Sequence, residues 1–213
     1  MQATRTPLPG ERWHFQHGPI DLVIGAEGEA AALAAAHQAA WHRMQSILAE
    51  LVAELPRLRL PVTALPEEPD EPDEPWGGLR GPVARRMVQA CRPFAPVFIT
   101  PMAAVAGAVA EELIEAYRGP GIRRAWINNG GDAAFHLSPG QTLRVGLFSD
   151  LSRVAELAAR GGRALDGAMA IGAGDGVAGL ATSGWRGRSF SLGIADSVTV
   201  LAASASQADA AAT

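Results

Sequence analysis

"IRRAWINNGGDAAFHL", residues 122–137, decides how the chain is read. A β-branched and aromatic run, IRRAWIN (122–128), stops at two glycines, and AAFHL (133–137) resumes beyond them. Short apolar runs bounded by such turns read as strands. Inside the turn, INNGGD (127–132) sets Asn128, Gly130, Gly131 and Asp132 close together. Two readings stand side by side. Asn-Gly and Gly-Asp are common turn dipeptides and need do no more than reverse the chain. Glycines after a strand also let backbone N–H groups face a ligand, and Asp132 can accept from a hydroxyl or hold a cation. The pattern is neither a Walker loop nor a dinucleotide fingerprint, since no G-K-[ST] or G-x-G-x-x-G is present.

Downstream, LRVGLFS (143–149) and AMAIG (168–172) read as strands, with SPGQ (138–141) as a hairpin turn and GAGDG (172–176) as another turn. Residues 152–165 read as helical. VAGLATS (177–183) and DSVTVLAA (196–203) are further strands, giving a hairpin-rich C-terminal half. SASQADAAAT then starts a helix in which Ser206 and Asp209 have capping-box spacing. The chain stops at Thr213 about one turn later, which suggests either a sequence cut short or a docked terminal stub.

Upstream, IDLVIG (20–25) reads as a strand, followed by a helix from about Glu27 to Glu54. Its face is Leu33, Ala40, Met44, Ile47, Leu51 and Leu55, and Pro56 is expected to stop it. Residues 81–92 read as a helix, PVFIT (96–100) as a strand, and Met102, Val105, Val109, Leu113 and Tyr117 as the buried stripe of another helix opened by Pro101. Helices mixed with hairpins make the fold class α+β. One domain is expected over 1–213, with an acidic, proline-rich loop at 64–78. In that loop PEEPDEPDEPW (66–76) carries six carboxylates and four prolines, so it is expected to be extended and solvated.

Net charge is −4, and no Lys/Arg cluster marks a phosphate-tracking stripe, which argues against nucleic acid. The N-terminus has no apolar leader and no span reaches membrane length, so no membrane partner is expected and cytoplasm is the default location. The lone Cys91 forms no internal disulfide. The histidines at 14, 17, 37, 42 and 136 show no zinc spacing.

Two further stretches can carry chemistry. In GLATSGWRGR (179–188) the hydroxyls of Thr182 and Ser183 and the backbone near Gly184 can cradle a phosphate, with Arg186 or Arg188 clamping it. A hairpin turn with surface arginines explains the same letters. Asp209 and Thr213, four apart on a helix, share a face and can offer a carboxylate and a hydroxyl to one hard cation. Alternatively, Asp209 simply caps the helix.

In this order, N-x-G-G-D, then A-T-S-G, then S-V-T-V-L-A closed by A-D-A-x-A-T resembles the ApbE-like superfamily, whose best-characterised members are FAD:protein FMN transferases. GRSFSLGIADSVTVLA (187–202) and the small-residue helix TPMAAVAGAVAEELIEAY (100–117) are similar to its UPF0280 branch. The resemblance covers about Trp13 to Thr213. It implies an α+β fold of mixed sheets with packed helices, FAD as ligand and Mg²⁺ beside its pyrophosphate. Asp209 and Thr213 would be metal ligands, with a carbonyl near Val105 or Ala106. Asn128, Gly130, Gly131 and Asp132 would line the nucleotide, and Thr182, Ser183 and Gly184 would lie against the flavin or pyrophosphate. In the transferases a threonine hydroxyl attacks the polarised pyrophosphate and AMP leaves. Their H-x-I-D-P-x-T-G segment is shortened here to GRSFSLGIA without histidine, and their A-K-G is Val105-Ala106-Gly107 without lysine. The nucleotide and metal frame is therefore kept while the acid/base segment is absent. The expected partner is a small nucleotide or flavin, in cofactor or one-carbon metabolism if the ligand is a related pyrophosphate or pterin; a homodimer is left open.

Overall fold

The computed structural model describes residues 2–66, 77–147, 167–184 and 195–213. Its centre is a seven-stranded sheet in the order β1-β2-β3-β4-β5-β8-β9. The strands are β1 (Thr4–Leu8), β2 (Arg12–His17), β3 (Ile20–Gly28), β4 (Ile122–Asn129), β5 (Asp132–Leu137), β8 (Gly179–Ser183) and β9 (Val198–Ala202). Every neighbouring pair is antiparallel, so the sheet is a meander interrupted between β5 and β8. The interruption is a separate two-stranded ribbon, β6 (Thr142–Leu147) with β7 (Gly167–Gly172).

Pleating sends alternate side chains to opposite faces of the sheet. Leu22, Ile24, Ala125, Ile127 and Ala134 enter the main core with the helices α1 (Ala30–Leu58), α2 (Pro82–Cys91), α3 (Val105–Ile114) and α4 (Ala205–Ala212). On the other face, Phe135 and Leu180 meet Ile171 of the ribbon in a smaller core, with Trp126 packed against it. The α+β class follows directly. No helix among the described residues is long and apolar enough to cross a membrane.

Several local expectations change. Helix α1 runs through Pro56 to Leu58, because the proline sits on the exposed side of its last turn; Leu58 rather than Leu55 completes the buried stripe. PVFIT is not a strand. It has β propensity but no partner ladder, and Val97 and Phe98 stay 50% and 77% exposed beside the turn formed by Arg92–Phe94. SPGQ does make a turn, with the Gln141 N–H donating to the Ser138 carbonyl at 3.0 Å, yet it joins two sheets instead of closing a hairpin. At the start of the loop expected at 64–78, Ala64 ends the 3₁₀ turn Val62–Ala64 and Leu65 is buried. Residues 67–76 lie outside the described residues, as do the expected helix at 152–165 and Trp185, Arg186 and Arg188. Strands β1 and β2 add a hairpin that composition did not announce: Arg5 and Pro7 dilute β1, and β2 interleaves its apolar residues with histidines.

Candidate functional site

The diglycine turn is a two-residue hairpin loop joining β4 to β5, with Gly130 at φ 69° and Gly131 at φ 120°. Two positive φ values in a two-residue loop match the twist of paired strands, and only glycine adopts them without strain. A Cβ at either position would meet no atom within 4 Å, so conformation rather than crowding demands glycine here. The consequence is register. Asn129 and Asp132 become direct cross-strand partners, and alternation from Ile127 places both on the helix-facing side. Asn128 falls on the other face, where its Oδ1 accepts from the Gly131 N–H at 3.4 Å and closes the turn.

Alternation also divides the hydroxyl pair on β8. Ala181 packs with Ala208 and Ala212 of α4, so Ser183 shares the helix-facing side with Asp132. Its Oγ is buried without a hydrogen-bond partner among the described residues. Thr182 faces away and pairs its Oγ1 with Thr199 Oγ1 at 3.0 Å, while its backbone N–H donates to Asp132 Oδ1 at 3.2 Å. Gly184 has no room for a Cβ, which would strike the Asp196 carbonyl. A close approach of the segments just after β8 and just before β9 thus accounts for that glycine.

Asp209 completes the cluster from α4. Its Oδ2 accepts from the Gly107 N–H at 2.8 Å. The N-cap position of α3 is Ala104, which has no capping side chain, so a carboxylate from the C-terminal helix caps α3 from outside. Capping of α4 itself differs from the expected Ser206/Asp209 box: Ser204 is the N-cap and accepts from Gln207 N–H, whereas Asp209 points away to α3. Thr213 Oγ1 lies 3.3 Å from the Ala103 carbonyl and 3.1 Å from the Asp209 carbonyl. The Ala106 carbonyl receives Asn129 Nδ2 at 3.1 Å.

Asp209 is buried, Asp132 beside it is half-buried, and the Asp132 charge acts on Asp209. Burial pushes Asp132 up to about 6, with the Thr182 N–H pulling the other way. Burial and then the Asp132 charge push Asp209 up to about 8, against the Gly107 and Ala106 N–H groups. Nearby, burial and then the Asp209 charge push the Cys91 thiol up to about 12. The sequence-derived residues Asp132, Ser183, Asp209 and Thr213 are therefore gathered around α3 and α4, while Asn128 and the Thr182 side chain point elsewhere. Asn129, which sequence reading passed over, belongs to the cluster. Counting across a two-residue turn would have found it, because that turn pairs the residue before the glycines with the residue after them.

No group of three or more His, Cys, Asp or Glu side chains converges among the described residues. Two clefts, of about 320 and 460 Å³, lie around Arg86, Ser204 and Gln207 and around Arg43, Glu54 and Arg80. Neither is lined by Asp132, Ser183 or Asp209.

A family model described as "AbpE bacteria" matches residues 5–213. A UPF0280 protein of Methanopyrus kandleri is 33% identical over 196 residues, covering 91% of this chain and 68% of the relative. UPF0280 proteins of Methanothrix thermoacetophila and Methanothermobacter thermautotrophicus are 35% and 37% identical over 133 and 137 residues, each over 62% of this chain. The chain matches about half the length of those two, 50% and 47%. With nearly its whole length matched, the chain belongs to the AbpE bacteria family and, within the same relationship, to the UPF0280 proteins.

Proposed function

We propose that this domain binds the pyrophosphate of a dinucleotide of the FAD type through a divalent cation held at Asp209, with Asp132 facing it. The observation that carries the reading is the buried Asp209 carboxylate, held against α3, with the half-buried Asp132 carboxylate near it at the end of the β4–β5 hairpin; desolvation raises both, and Asp132's charge further opposes ionisation of Asp209. Neighbouring buried charges of one sign are costly unless protonated or neutralised by a cation. The donor set is entirely oxygen, since the carboxylates are joined by the Thr213 hydroxyl and the Ala103 carbonyl. Hard oxygen donors suit Mg²⁺, so the residues present fit the ion. Capping of α3 engages Oδ2 of Asp209 through the Gly107 N–H. A cation there would neutralise the pair and polarise a bound pyrophosphate. The Ser183 hydroxyl, without a hydrogen-bond partner among the described residues, is a donor suited to an acceptor such as a phosphate oxygen.

Binding, rather than FMN transfer, is the activity the residues support, because the transferase acid/base segment is shortened here to GRSFSLGIA and lacks its histidine. The test is thermal unfolding with FAD, with Mg²⁺, and with both. A ligand near a hundredfold over its Kd adds about 2.7 kcal/mol, several degrees in Tm for a chain of this size. Asp209→Asn keeps a capping oxygen for Gly107 but loses the charge, and it is expected to lose the Mg²⁺-dependent part of the shift. An identical shift in that variant removes the cation from the reading. A covalent yellow adduct on a threonine-bearing acceptor would assign transfer instead.

A further inference from the structure

We infer that Asn129 is a positioning residue that orients Asp209 through a single peptide group. The inference rests on the proposed cation site but concerns geometry that exists without any ligand. Ala106 C=O and Gly107 N–H belong to one peptide unit. Asn129 Nδ2 donates to that carbonyl at 3.1 Å, and the N–H at its other end donates to Asp209 Oδ2 at 2.8 Å. A peptide is planar and trans, so holding its carbonyl fixes the direction of its N–H. Hydrogen bonds in such a chain also polarise one another, which strengthens the donor presented to the carboxylate.

The route is long in sequence and short in space: β4 to α3 to α4, with Asn129 only 8% exposed. The diglycine turn gives it meaning. Asn129 and Asp132 are cross-strand partners, so one side of the turn sets Asp209 through the Ala106–Gly107 peptide while the other supplies the opposing carboxylate. Asp132 is steadied separately by the Thr182 N–H. One hairpin end therefore orients Asp209 and also carries the acid that opposes it. The residue between the asparagine and the glycines of N-x-G-G-D acquires a role as definite as theirs.

The test compares the full chain with Asn129→Leu, of similar size but without a donor. Amide exchange of Gly107 is followed beside amides of β3 and β4, and Mn²⁺ alone is titrated by electron paramagnetic resonance. Loss of one hydrogen bond should speed Gly107 exchange by about an order of magnitude while the β3 and β4 amides keep their rates. Mn²⁺ affinity should fall about tenfold, as when an outer partner of a metal ligand is removed. Unchanged Gly107 exchange, or an equal acceleration throughout the sheet, overturns the inference, as does undiminished Mn²⁺ affinity in the variant. If the unaltered chain takes up no Mn²⁺, the proposed function falls, and the Gly107 rate alone decides the role of Asn129. Should Asn129→Leu fail to fold, Asn129→Ser, too short to span to Ala106, replaces it in both measurements.

Discussion

Asp209 is held in two ways that pull against each other. Two backbone N–H groups of α3 stabilise its charged form, while burial and Asp132 oppose ionisation and prevail, lifting it to about 8. The consequence for stability has a definite sign. A carboxylic acid whose folded pKa lies above its unfolded value, near 3.8, binds more protons folded than unfolded between those two values. Its contribution is therefore greatest at low pH and declines as pH rises towards 8. Asp132, raised to about 6, acts in the same sense over a narrower window. His37, lowered by burial, acts oppositely below its ordinary value of 6.5 and is unaffected by changes at Asp209. Urea midpoints measured from pH 5 to pH 8 in metal-free buffer should thus fall more steeply for the unaltered chain than for Asp209→Asn. Parallel profiles would mean that Asp209 is ionised throughout and that the opposition from Asp132 is weak. Saturating Mg²⁺ should flatten the unaltered profile, because a bound cation favours the charged pair.

Helices α3 and α4 cap each other, which is the main device of the site at the level of elements. Asp209 of α4 accepts from Gly107 of α3, and Glu111 of α3 accepts from the Ser206 backbone N–H at 3.1 Å and its hydroxyl at 2.6 Å. Although burial works to raise it, the Ser206 donors and the Arg86 guanidinium hold Glu111 below the ordinary carboxylate range. The mutual arrangement needs close approach, and Gly107 provides it. A Cβ there would strike the Ala205 carbonyl and come within 2.9 Å of Asp209 Cβ. Gly107→Ala gains about 1 kcal/mol of helix propensity but forces the backbones apart, a cost of about 1–3 kcal/mol in a packed interior. The obstruction is backbone and cannot rotate aside, so a net loss of stability is expected by chemical denaturation, together with weaker FAD binding. A neutral or stabilising outcome would show that the helices are free to separate. Glu111→Ala should cost about 1–2 kcal/mol through the lost cap. The helices themselves were legible from period and small residues; their caps were not. Capping boxes are read within four residues, whereas Gly107 and Asp209 are 102 positions apart. Asn129 reaches Ala106 across 23 positions, again beyond any local motif, while the motif letters that name Asp132, Ser183 and Asp209 carry no information about which face of the sheet each one meets.

Across the whole molecule, one sheet separates two cores of unequal size. The helix-facing core spans α1 to α4 and holds the acid pair at its edge; the opposite core rests on Phe135, Ile171 and Leu180 under the β6–β7 ribbon. Strand β5 serves both, because Ala134 points to the helices and Phe135, its neighbour, to the ribbon. A sequence of alternating strands reveals such two-sidedness only when both partners are known, which is why SPGQ read as an ordinary hairpin turn although the chain changes sheets there. Unequal cores should fail unequally. Phe135 is 2% exposed, and truncating a buried phenylalanine to alanine costs about 3–5 kcal/mol. In a small satellite core that loss is a large share of what holds the ribbon down, whereas Ala134, Ile127 and the α3–α4 contact do not depend on the ring. Phe135→Ala is therefore expected to accelerate amide exchange in β6 and β7 far more than in β3 or α3, and to leave the Asp132 contact to Thr182 in place. Hydrogen exchange followed by fragment decides it. Uniform acceleration through both cores would mean that the sheet transmits the loss and that the molecule unfolds as one unit, in which case FAD stabilisation would fall along with the ribbon.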